Sequence, residues 1–174
     1  MSAELVLLVG MLIELLRKQG LYVTTVESCT GGGLANAITN VSGSSGVFKG
    51  GFVTYSNEQK IALGVPKEII EKYTVYSLQT AEAMAKAGMK AAVRADVAVG
   101  ITGSISRIDP NNPNSRPGEV YIAVLFRDKI LSRKFLFSEA AERWQVKEQA
   151  EVKALQMVLE VVGAQPPPGQ EKLK

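Results

Sequence analysis

Residues Tyr22–Leu63 constrain the fold of this chain more than any other stretch. Tyr22–Val26 is a β-branched, alternating run of the kind that forms a strand. Glu27-Ser28-Cys29-Thr30-Gly31-Gly32-Gly33 follows, and Leu34–Thr39 then has helical composition. Strand, tight glycine turn and helix start come in direct succession. Such a turn points several backbone N–H groups at one place, a geometry that receives an anion or an oxyanion. The pattern then repeats, with Gly51–Tyr55 as a strand and Ser56 or Asn57 as the cap of a helix to about Leu63. With Asn57 as the cap, Lys60 falls at the third helical position, against the positive end of the helix dipole. That field and burial both lower a lysine pKa, as a catalytic base requires.

Composition removes most other chemistries. The chain has 174 residues and no histidine, which excludes Ser-His-Asp triads, Cys-His dyads and His-ligated metals. Any base must be Lys, Asp, Glu or Tyr. Cys29 is the single cysteine, so no intrachain disulfide can form, and a reducing, cytoplasmic setting fits. The net charge of +3 is small and its cations are scattered, unlike a nucleic-acid surface. Leu5–Leu16 is strongly apolar but too short to span a bilayer, lacks a basic leader and is flanked or interrupted by Glu4 and Glu14. It reads as a buried helix ending near Gly20. Its apolar residues occupy nearly every side, so a second subunit is expected to cover part of it, with Leu8 and Leu12 as test positions.

Further along, Pro66–Lys72 suits a short helix with Pro first, and Leu78–Arg94 a long one capped by Ser77. Val97–Thr102 reads as a buried strand, and Gly103–Gly118 as a long loop rich in Asp, Asn and Pro. Glu119–Phe126 and Lys129–Phe137 form a hairpin around Arg127-Asp128, and Glu139–Val162 the last helix. Strands alternating with helices and ending in a hairpin imply an α/β fold: a three-layer α/β/α sandwich with a mixed sheet in a single domain. The domain is expected over 1–164, with a flexible tail at 165–174.

VESCTGG (Val26–Gly32), GSS (Gly43–Ser45) and GGFVTYSNEQK (Gly50–Lys60) resemble the CinA C-terminal domain family of PncC-type nicotinamide-nucleotide amidases. The likeness is most specific over Tyr22–Gly64. It resumes more faintly at Gly100–Gly103, Glu119–Val124 and the closing helix. The resemblance implies an amidohydrolase that deamidates nicotinamide mononucleotide to nicotinate mononucleotide and ammonia, with no metal and no cofactor. By motif position, Ser28 is the implied nucleophile, Lys60 the base, and Tyr55 a hydroxyl relay bonded to Lys60 or Ser28. The amides around Thr30, Gly31 and Gly32 are candidates for an oxyanion hole, and Cys29 is a rival nucleophile. Ser44, Ser45 and Thr102 are expected to line the pocket, and Arg143 and Lys147, four apart on one helix, to clamp a substrate phosphate. The partner is a small nucleotide, with no nucleic acid and no membrane, and the chain is expected to be a homo-oligomer, a dimer or higher.

Each residue also has a plainer reading. A Ser before a glycine-rich helix start is commonly a cap, a Tyr at a strand end packs with a wet hydroxyl, and a helical Lys is commonly solvated. The shared spacing favours the catalytic reading for Ser28. Departures from the family pattern cluster on the substrate side: Ile105 and Arg107 replace small residues after Gly103, and Ser138–Arg143 replaces a GDR motif. The Glu that usually follows the Ser of a VSE motif is also gone, with Leu78 after Ser77. A silent relative binding a nucleotide-like ligand through the altered loop, and a hydrolase of another small amide, are the alternatives.

Overall fold

The computed structural model describes residues 1–163, so the expected tail at 165–174 lies outside the described residues. Five strands, β1 (Val23–Glu27), β2 (Phe52–Val53), β3 (Val97–Ser104), β4 (Glu119–Phe126) and β5 (Lys129–Leu136), form one sheet in the order β2-β1-β3-β4-β5. β1 runs parallel to both β2 and β3, whereas β3–β4 and β4–β5 are antiparallel. The mixed sheet and the single domain agree with the sequence reading.

Helices α1 (Ala3–Gln19), α2 (Gly33–Thr39) and α6 (Arg143–Gly163) cover one face of the sheet. Helices α3 (Asn57–Leu63), α4 (Lys67–Tyr73) and α5 (Leu78–Ala91) cover the other. With both faces covered, every residue of β1 and β3 is buried, which is why these strands lack a polar face. The chain leaves β1 over one face through α2 and leaves β2 over the opposite face through α3–α5. Connections that diverge in this way open a crevice at the carboxyl ends of the strands.

Local chemistry sets most boundaries. Ser2, Ser56 and Ser77 cap α1, α3 and α5, each hydroxyl accepting a backbone amide bond. Gly20 ends α1 with a positive φ of 67°, as a left-handed C-cap requires. Several expectations shift. Pro66 caps α4 from outside rather than standing first within it. β2 keeps only two residues, and beyond it Thr54 is buried and Tyr55 exposed. β3 runs on to Ser104, and α6 starts at Arg143, four residues later than expected.

Helix α1 also differs from expectation. Leu12 is 0% exposed within the chain's own core, alongside Leu5, Val9 and Leu16, and Leu8 packs partly against it. The outward apolar residues are Val6, Leu7 and Met11. Among the described residues, no helix is long and apolar enough to cross a membrane. Truncation of Leu12 leaves a cavity, so Leu12→Ala should lower stability in urea unfolding by about 3 kcal/mol. A loss near zero would contradict this orientation of α1.

Candidate active site

Parallel strands align their carboxyl ends, and Glu27 pairs in register with Val53 on one side and Ile101 on the other. Ser28, Thr54 and the end of β3 therefore meet at one edge of the sheet. Ser28 is fixed there by its own amide, which donates to Ile101 O at 3.0 Å. From α3, Lys60 reaches back under this edge and is 1% exposed. Its Nζ donates to Ser28 Oγ at 3.0 Å and to Thr54 O at 2.8 Å. Among the described residues it makes no ion pair. Burial pushes its pKa down to about 8, so on the order of a tenth of the molecules hold it neutral at pH 7. Ser56, not Asn57, caps α3. Lys60 is thus the fourth helical residue, and desolvation rather than the helix dipole is the cause.

The glycine turn contains a group whose role the sequence does not announce. Glu27, 0% exposed, folds its carboxylate back beneath the start of α2. It accepts from Thr30 Oγ1 at 2.7 Å and from the amides of Gly32, Leu34 and Ala35 at 3.1, 3.0 and 2.8 Å. Thr25 Oγ1 donates to it as well, at 3.2 Å. Gly31 N donates to Ser28 O at 3.0 Å. The anion cradle at this helix start is therefore filled by the chain itself. Of the expected oxyanion donors, Gly31 and Gly32 have their amides committed and Thr30 has its side chain committed. Among the described residues, no backbone oxygen accepts from the amides of Cys29 and Thr30. Gly31 and Gly32 hold φ of 65° and 92°, which lets the turn double back over the carboxylate. Against the same turn lies Glu151 of α6, which occupies the place a side chain at position 33 would take. Burial, then the neighbouring Glu27, raises its pKa to about 7.

A cavity of about 690 Å³ opens over Ser28 and Lys60, within the range that holds a nucleotide-sized ligand. Tyr55, Tyr76, Arg107 and Arg143 stand on its walls, with Cys29 beside Ser28. Tyr55 is 63% exposed, and its hydroxyl accepts from Arg143 Nη2 at 3.2 Å. The expected bond from Tyr55 to Lys60 or Ser28 is not formed, because the outward turn after Thr54 carries the ring to the mouth. Burial pushes the Cys29 thiol up to about 12, which withholds the thiolate and disfavours the rival nucleophile.

Four other expected residues lie elsewhere. Ser44 and Ser45 sit in a 3-10 turn, Ser44–Gly46, at the opposite end of β1, where Val23 N donates to Val47 O. Thr102 is buried and does not line the cavity; its hydroxyl donates to Val75 O at 2.9 Å and so holds the loop that carries Tyr76. Lys147 comes off α6 one turn beyond Arg143 and lines a separate groove beside Gly33 and Glu151. The two cations of the expected clamp are thus split between two surfaces. Glu27 was the miss of the sequence reading, although a lone carboxylate ending a buried strand just before a glycine turn was its available signal.

The model of the CinA C-terminal domain matches residues 7–162. A putative competence-damage inducible protein of Caldicellulosiruptor saccharolyticus is 38% identical over 86% of this chain and 36% of its own length. The nicotinamide-nucleotide amidohydrolase PncC of Pseudomonas putida is 39% identical over 85% of this chain and 91% of its own length. The chain therefore spans about a third of the first relative (36%) and nearly all of the second. The crystal structure of the competence/damage inducible protein CihA from Agrobacterium tumefaciens superposes with a TM-score of 0.84. It is 32% identical, over 92% of this chain and 96% of that one.

The Glu27 network generates a test. In Glu27→Gln the new amide NH2 faces donors, leaving at least one buried partner unsatisfied, so stability should fall by about 3 kcal/mol. Hydrogen exchange at the amides of Gly32, Leu34 and Ala35 should accelerate together. Unchanged protection at these amides would contradict the assignment.

Proposed function

The chain belongs to the CinA C-terminal domain family, and from that membership we propose that it is a metal-independent amidohydrolase of nicotinamide mononucleotide. The observation that carries the reading is the buried Lys60 Nζ, 3.0 Å from Ser28 Oγ. The amidohydrolase name of the Pseudomonas putida relative supports the same reaction. In the neutral amine, one N–H donates to Thr54 O, and the lone pair is left to accept the Ser28 proton. Lysine is then the base that a chain without histidine requires.

The reaction runs in two halves. Ser28 Oγ attacks the amide carbon as Lys60 takes its proton, and the resulting oxyanion faces the amides of Cys29 and Thr30. As the C–N bond breaks, the Lys60 ammonium protonates the departing nitrogen and ammonia leaves a nicotinoyl ester on Ser28. Lys60, neutral again, deprotonates a water that attacks the ester. The carboxylate product departs and Ser28 recovers its proton, so one water is consumed per amide. Tyr55 lines the path and, through its bond to Arg143, orients the guanidinium rather than relaying the proton.

Outward Leu7 and Met11 on α1 support the further proposal that the protein self-associates through this face. Leu7→Lys with Met11→Lys should lower the mass measured by light scattering, and an unaltered mass would overturn it. The buried free thiol of Cys29 is compatible with the proposed cytoplasmic setting.

Ser28→Ala and Lys60→Ala should each cut ammonia release from nicotinamide mononucleotide by about 10³-fold or more. Only the unprotonated lysine accepts a proton, so kcat/KM should rise with pH and level off with a midpoint near about 8. A rate independent of pH between 6 and 9, or either variant retaining near-normal turnover, would remove the mechanism.

A further inference from the structure

The segment between β3 and β4, residues 105–118, is tied down at several points. Ser104 Oγ donates to Arg107 O at 2.7 Å, and Tyr76 OH donates to Asp109 Oδ2 at 2.8 Å. Asp109 N donates to Ser115 Oγ at 2.8 Å, and Gly118 N closes the base onto Ser104 O at 2.8 Å. These bonds present Ser106 and Arg107 to the cavity over Ser28. Across the mouth, Arg143 donates through Nη1 to Ser106 Oγ at 3.1 Å and through Nη2 to Tyr55 OH. Its guanidinium thus stops beside the residue that precedes Arg107.

Charge makes this arrangement informative. Among the described residues neither Arg107 nor Arg143 makes an ion pair. The acidic groups on the same walls are Asp109 and Glu58. Asp109 is occupied by Tyr76 OH and by Asn111 N, the latter at 2.9 Å. Glu58 stands in the exposed first turn of α3, where Ser56 engages it. The Arg143 guanidinium is held by two neutral oxygens, and Arg107 lines the same cavity; two cations on one wall with no ion pair repel each other unless an anion joins them. A planar, many-donor cation of this kind matches a phosphate best.

We infer that Arg107 is a specificity-determining residue, which with Arg143 forms a mouth subsite for the phosphate monoester of the substrate. Lys147, on the separate groove, has no part in it. This deepens the amidohydrolase reading and rests on it for the direction of the ligand, with its amide at Ser28 and its phosphate at the mouth.

The test compares the parent protein with Arg107→Ala and Arg107→Lys, on nicotinamide mononucleotide and on the same nucleoside without its phosphate. Arg107→Ala should raise KM for the nucleotide by about 10-fold or more, as expected for loss of a charge-assisted pair, while kcat stays within about 2-fold. The nucleoside should be turned over as before, and Arg107→Lys should recover part of the loss. Equal losses on both substrates, or an unchanged KM for the nucleotide, would overturn the subsite. Should the parent protein hydrolyse neither compound, the amidohydrolase reading alone fails. Calorimetric titration with ribose 5-phosphate and with ribose then decides. Tighter binding of the phosphate ester that is lost in Arg107→Ala upholds the subsite. No phosphate-dependent binding in the parent, or equal binding in the variant, rejects it.

Discussion

Lys60 is held out of water and, among the described residues, makes no ion pair. Burial of an unpaired ammonium is costly, and the usual relief is loss of the proton. The rest of the site follows from that constraint. The Lys60 Nζ meets Thr54 O and Ser28 Oγ; the amide of Thr54 is fixed on Glu27 O of β1 and that of Ser28 on Ile101 O of β3. A neutral amine satisfied by one carbonyl has its lone pair left for a hydroxyl. The sign of the resulting linkage is definite. The lowered folded pKa makes stability greatest above the unfolded lysine value, and it declines as pH falls through about 8.

Beside this cationic problem the fold sets an anionic one. Glu27 fills the amide cradle at the start of α2, where a ligand anion is often found. Fixed there by five donors, it holds in place the turn that follows Ser28. Burial of Thr30 and Thr25 beside it shows the same economy: their hydroxyls satisfy the carboxylate instead of facing the cavity. Preorganised donors of this kind need no rearrangement when charge develops.

The scaffold was legible because its signals are local. β-Branched alternation marked β1, glycines marked the turn, and serines at caps marked α1, α3 and α5. The meeting of Ser28 and Lys60 was legible through spacing shared with a family. What stayed hidden depends on where elements lie in space. Ser44 and Ser45 have turn composition like that of the loop carrying Ser28, yet β1 separates the two turns by its whole length. Arg143 and Lys147 look like a pair on paper. The late start of α6 puts Arg143 at the cavity mouth, and the next turn carries Lys147 to the groove beside α2. Tyr55 shows the limit in one residue, since its place just beyond the short β2, next to the buried Thr54, turns its hydroxyl to the mouth.

The protonation state of Lys60 is the claim on which the catalytic account stands, and it can be observed without turnover. A heteronuclear NMR titration of side-chain-labelled lysines would follow the Lys60 Nζ environment directly from pH 6 to 11. The expected midpoint is about 8, well below the ordinary lysine value. A Lys60 midpoint at the ordinary lysine value of 10.5 would contradict it.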